Sequence, residues 1–132
     1  MIIGLNHIAI AVPELNRAIE QLVHDLGMTM TSTEEVSSQY TSVAFFPIDK
    51  THIELVSPTD EKSPLHKFIV NRGGGLHHLC FETDSLLEDM AKLKAKGYKL
   101  LNETPQVGAH QTQVAWIHPT SFHGVLIELV QK

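Results

Sequence analysis

The 132-residue chain holds a single cysteine, Cys80, so an internal disulfide cannot form. Its place in an apolar stretch makes it a small buried filler rather than a nucleophile. Positive charge is also scarce: 10 basic residues stand against 15 acidic ones, a formal net charge of −5. A general nucleic-acid binder needs a basic face, which this balance does not supply. No long block of like charge occurs, and no loop carries a phosphate-binding motif. Apolar runs stay short of the ~18 residues of a membrane span, and the opening MIIGLNHIAIAV has no basic residue ahead of its apolar core. The expectation is a cytoplasmic protein with neither nucleic acid nor membrane as partner.

What the chain does contain is a repeat. Leu76-His77-His78-Leu79-Cys80-Phe81 restates Leu5-Asn6-His7-Ile8-Ala9-Ile10 with His78 on His7, Cys80 on Ala9 and Phe81 on Ile10. Alternate side chains of a strand share a face. His7, Ala9 and Ala11 therefore point one way, and Ile8, Ile10 and Val12 the other. The histidine face is lined by short side chains, which leaves room for a ligand, while the bulky face suits packing on helices. The same parity selects His78 as the partner of His7 and turns His77 away with Leu79 and Phe81.

Each repeat continues in the same way. Pro13 opens a helical pattern with Leu15, Ala18, Ile19, Leu22, Val23 and Leu26, closed by Gly27. Strands are expected at Met28–Glu35, Tyr40–Ile48 and Thr51–Val56. Ser57–Gly75 reads as a linker with a short helical piece near Leu65–Val70. In the second half, Asp84 and Ser85 are helix caps, Ser85 with Glu88 making a possible capping box, and Gly97 closes the helix. Strands follow at Tyr98–Glu103, Gln111–His118 and Gly124–Val130. The endings Ile53-Glu54-Leu55-Val56 and Ile127-Glu128-Leu129-Val130 match. We read a duplication, with module one at 1–57, a linker at 58–75 and module two at 76–132, together one domain of ordinary size.

Two histidines and two glutamates at equivalent places would meet if the modules closed about a pseudo-two-fold axis. The candidate metal ligands are thus His7, Glu54, His78 and Glu128. Imidazole and carboxylate suit a borderline divalent cation such as cobalt, zinc, nickel or manganese, with coordination positions left for substrate or water. A carboxylate in mid-strand is costly unless paired or metal-bound. His52 reads as a solvated edge residue, His110 and His118 as turn histidines, and His24 and His66 as surface residues.

These residues carry a resemblance. The repeated strand-helix-strand-strand-strand plan, with one ligand pair from each module, resembles the vicinal oxygen chelate superfamily over the whole chain. Within it, NHIAIAVPELNRAI, PLHKFIVNRGGGLHHLCFET, QVGAHQTQVAWIHP and GVLIELVQ look most like the methylmalonyl-CoA epimerase family. The resemblance implies an α+β domain of two βαβββ modules in a glyoxalase/bleomycin resistance-like half-barrel. It also implies metal ligands at His7, His78 and Glu128 with Glu54 as the fourth, an acyl-CoA substrate and a homodimer. The implied reaction inverts C2 of the substrate by 1,1-proton transfer through a metal-stabilised enolate. In it Glu128 is the base, and Glu54, by symmetry, is the second proton-handling carboxylate. Two positions depart from the pattern: Val43 stands where some epimerases have a third-strand carboxylate, and Thr120 where many members have lysine. The same ligand set would also serve a glyoxalase I-type lactoylglutathione lyase, whereas a non-catalytic binding module would typically lack it. A dioxygenase usually presents two histidines with one carboxylate.

Overall fold

A computed structural model describes every residue, Met1–Lys132. It divides into two compact units, one of residues Ile8–His77 and one of Met1–His7 with His78–Lys132. We call them the inserted and the flanking unit, after their places along the chain.

The inserted unit contains the later part of β1 (Ile2–Ala11), α1 (Leu15–Glu20), β2 (Ser32–Val36), β3 (Thr41–Ile48), β4 (Thr51–Pro58) and α2 (Pro64–Arg72). Its strands lie in the order β2-β3-β4-β1, with β2, β3 and β4 antiparallel. Strand parity assigns one face to each helix. Leu15, Ala18 and Ile19 of α1 pack with Ala44, Phe46 and Leu55 on one face, while Leu65, Phe68 and Ile69 of α2 pack with Ala11, Val43, Phe45 and Val56 on the other. The helical pattern after Pro13 passes into a π turn at Gln21–Asp25 before Gly27. The linker helix begins where the Ser63 hydroxyl accepts from the Leu65 amide and Pro64 takes the first turn, whose amide needs no partner. It stops at Gly73, whose φ of 73° is the left-handed value that favours glycine.

The flanking unit contains the start of β1, β5 (Gly75–Thr83, from His78 onward), α3 (Leu86–Ala95), β6 (Gln106–Val107), β7 (Gln113–Ile117) and β8 (Ile127–Gln131). The strand order is β1-β5-β8-β7-β6, with β8 parallel to β5 and antiparallel to β7. Leu86 and Met90 of α3 pack on Ala115, Ile117, Ile127 and Leu129. A cavity of about 340 Å³ remains on that side, bounded by Phe81, Ile127 and Leu129. These residues have the opposite parity to His78 and Glu128, so the cavity lies away from the titratable cluster.

The βαβββ plan holds in both halves, with local corrections. The strand expected from Met28 starts only at Ser32, because Met28 N closes the preceding helix by bonding Leu22 O at 2.9 Å. Tyr98–Glu103 is not a strand. Only Leu100 bridges to Ile117, and the Asn102 side chain takes over the pairing: its Nδ2 donates to Thr104 O and Val114 O, and its Oδ1 accepts from Trp116 N. β6 fills that place in the module instead. Ser85 occupies the N-cap of α3 without a side-chain cap bond; the Leu86 amide goes to Gln131 Oε1 at 2.8 Å. No helix is long and apolar enough to cross a membrane.

Candidate metal centre

Three neighbouring strands of the flanking unit, β1, β5 and β8, each contribute one titratable side chain to a single point. His7 Nε2 lies 3.1 Å from His78 Nε2, and Glu128 Oε1 lies 3.2 Å from the first and 3.3 Å from the second. All three residues are at most 8% exposed. The flanking positions explain the convergence. Ala9 and Cys80, the next residues on the histidine faces, are fully buried and short, so the imidazoles meet no bulk. Cys80 is also the direct register partner of Glu128, as is Trp116 on β7. The Trp116 ring meets His78 edge to face, centroids 4.8 Å apart, and His7 meets His78 at 5.2 Å and 77°. These contacts fix the ring planes.

Asn6 determines what His7 presents. Its Oδ1 can only accept, so the bond of 2.7 Å places the proton on His7 Nδ1. In the neutral ring Nε2 then carries a lone pair directed at His78 and Glu128. Three electron-rich atoms 3.1–3.3 Å apart repel one another unless a cation lies among them. With bonds of about 2.1 Å, such separations subtend roughly 95–105° at a central ion, between the octahedral and tetrahedral angles. The donor set therefore fits a borderline divalent cation. Cys80 adds a thiol whose sulfur lies within 4.8 Å of donor atoms of His7 and Glu128. Without metal, protons serve the same role. Burial alone raises the Glu128 pKa, but hydrogen bonds from His7 and His78, with their positive charge, outweigh it and hold the carboxyl below its ordinary range.

Glu54 lies on β4 in the inserted unit and is 8% exposed. Its Oε2 bonds His52 Nε2 at 2.8 Å, and the His52 ring leans on Phe45 at 5.9 Å. His52 is thus half-buried and engaged, contrary to the solvated edge residue expected. His118 is a turn histidine as expected, its Nδ1 accepting from the Thr120 amide and in contact with the Thr120 hydroxyl. Asn6 and Trp116 escaped the sequence reading. Asn6 has a signal in hindsight, an amide directly preceding a ligand histidine; Trp116 has none without the β7–β8 register.

Known proteins share this fold. The family model for the Glyoxalase/Bleomycin resistance protein/Dioxygenase superfamily matches residues 6–116. The ethylmalonyl-CoA/methylmalonyl-CoA epimerase of Cereibacter sphaeroides is 38% identical over 133 residues, 99% of each chain. The crystal structure of methylmalonyl-CoA epimerase from Mycobacterium tuberculosis superposes with a TM-score of 0.92 at 34% identity, over 98% of this chain and 88% of that one. A methylmalonyl-CoA epimerase solved in complex with methylmalonyl-CoA and NH4+ gives a TM-score of 0.94 at 29% identity, over 100% of this chain and 96% of that one. Matched by the family model through most of its length and by such relatives from end to end, the chain belongs to the glyoxalase/bleomycin resistance protein/dioxygenase superfamily.

Proposed function

We propose that this protein is an epimerase that inverts C2 of methylmalonyl-CoA by 1,1-proton transfer. The single observation carrying the reading is the His7, His78 and Glu128 cluster, three buried donors meeting at one point in a chain whose relatives are named for this reaction. The proposed metal ligands are these three with Glu54 as the fourth, which rests on the match between the module endings. These residues would hold a divalent cation, whether cobalt, zinc, nickel or manganese, which would supply Lewis acidity to the substrate and so acidify the hydrogen between carboxylate and thioester.

The residues of the chain divide the remaining work. His7 and His78 orient the donor set, with Asn6 keeping the His7 tautomer correct. Glu128 is the base: its carboxyl is held in the ionised form and accepts the α-proton. Trp116 and the buried Cys80 stand opposite Glu128 on the neighbouring strands, and at 7% exposure Glu128 meets little bulk water. Glu54 is the symmetry candidate for returning a proton on the opposite face. Cytoplasmic location and a homodimer complete the proposal; sedimentation of the purified protein tests the latter.

The decisive measurement is deuterium uptake at C2 of methylmalonyl-CoA in heavy water by the metal-loaded protein. Rapid exchange that falls 10²–10⁴-fold in Glu128→Gln is expected. A metal-loaded protein that leaves C2 unexchanged, yet turns over a glutathione hemithioacetal, would instead make the chain a glyoxalase-type isomerase.

A further inference from the structure

A cavity in the flanking unit has no part in the chemistry above. It lies between α3 and the face of the sheet opposite His78 and Glu128, and holds about 340 Å³. That is roughly twice the ~150 Å³ that takes up a benzene ring and falls within the ~300–1,000 Å³ of small-molecule sites. Its floor is apolar, formed by Phe81, Ile127 and Leu129. Two large apolar side chains beside it, Ile2 and Phe122, are 45% and 44% exposed. Apolar walls with half-exposed apolar neighbours favour an occupant that brings apolar surface of its own.

The helical wall adds charge. Asp89, Lys92, Leu93 and Lys96 follow the spacing of three and four that places residues on one side of a helix, and all four line the cavity. Leu93 also packs with Leu86 and Met90 in the core. The two exposed lysines therefore sit at the edge of the apolar stripe, where a stem lies along the wall and its ammonium reaches solvent. Lys94, between them in sequence, is paired with Glu103 at 3.1 Å, whereas neither Lys92 nor Lys96 has a carboxylate within 4 Å. Asp89 is already engaged, its carboxylate accepting from the Thr83 hydroxyl and, at 3.0 Å, from the Met1 amine. Cations near a helix C-terminus offset its dipole. The dipole accounts for the lysines but not for the apolar hollow beneath them; an anionic group on an apolar chain accounts for both.

We propose that this cavity binds an aliphatic carboxylate of medium length, its hydrocarbon chain on Phe81, Ile127 and Leu129 and its carboxylate between the Lys92 and Lys96 ammonium groups. Twice the benzene volume corresponds to a chain of roughly eight to twelve carbons. The site faces away from the titratable cluster, so its occupant is a second ligand and not the substrate of the reaction proposed above. The inference does not rest on the epimerase reading.

Calorimetric titration of the metal-loaded protein with decanoate, decanol and decyltrimethylammonium tests it. Saturable binding of one decanoate per chain is expected, with decanol weaker and the cationic chain weaker still. Lys92→Gln combined with Lys96→Gln should weaken decanoate about 10-fold and decanol less than about 2-fold, since the apolar contacts remain. Ile2→Trp, which brings an indole to the cavity wall, should abolish binding of both. Decanoate affinity unchanged in the lysine variant overturns the inference, because the carboxylate then sits elsewhere, as at the metal. Equal affinity for all three chains overturns it as a detergent-like contact. Absence of saturable decanoate binding overturns it too, and sedimentation in which Ile2→Trp dissociates the protein would then make a second copy of the chain the occupant. Should Ile2→Trp fail to fold, the lysine variant decides alone.

Discussion

A histidine binds metal only if one nitrogen is left bare and aimed, and in this chain a neighbouring amide does the aiming. Asn6 Oδ1 takes the His7 Nδ1 proton at 2.7 Å. Replacing Asn6 by alanine is expected to weaken metal binding 10–100-fold while leaving the fold intact, as read by competition with a chromophoric chelator; an unchanged affinity would show that the ring is held by other contacts. The clustered residues themselves were legible because strand parity and the internal repeat mark them: His7, His78 and Glu128 meet as the alternation requires. Their partners were not, because the Asn6 bond and the Trp116 contact depend on ring orientation and strand register, which leave no periodic trace. His52 shows the same limit. Its parity was readable, but not the 2.8 Å bond that draws it to Glu54.

At the level of the element, periodicity located the helices and most strands, and local side-chain bonding set the exceptions. Tyr98–Glu103 has the composition of a strand, yet the Asn102 amide satisfies Val114 O and Trp116 N that a strand would have paired, so only one bridge remains. Helix ends were clearer, since Gly27 and Gly97 adopt the left-handed conformation their positions demand, φ 70° and 89°. Gly74, between α2 and β5, is more constrained than either. Its φ is 122°, and a Cβ there would lie 2.8 Å from the Ala11 carbonyl oxygen. Gly74→Ala should therefore destabilise the protein by about 2 kcal/mol or more, measured as a lower urea midpoint; a loss under ~0.5 kcal/mol would mean that the backbone shifts without strain.

The whole molecule inherits a pH dependence from Glu128. Its folded-state pKa lies below the ordinary 4.5, so the stabilisation it brings is present above that value and disappears as pH falls through the folded pKa. Metal-free protein is expected to lose stability on acidification below about pH 4.5 by up to ~1.4 kcal/mol per pH unit. Glu128→Gln should lack this component; urea midpoints collected against pH for both proteins check it, and identical profiles would remove Glu128 from the acid limb. Bound metal competes with the same protons, so its affinity should fall across the acid range as well.

The chain's path between the two histidines gives the cluster another consequence. The inserted unit starts at the residue after His7 and finishes at the residue before His78, so the two imidazoles stand at the two ends of its chain, 71 positions apart and 3.1 Å across. An ion bound to both would be a drawstring. It would close that ring, and a single cross-link of this span removes roughly 4 kcal/mol of chain entropy from the opened state. Unlike a disulfide, it could be untied by a chelator and retied by the ion, a reversible tether for a chain with one cysteine.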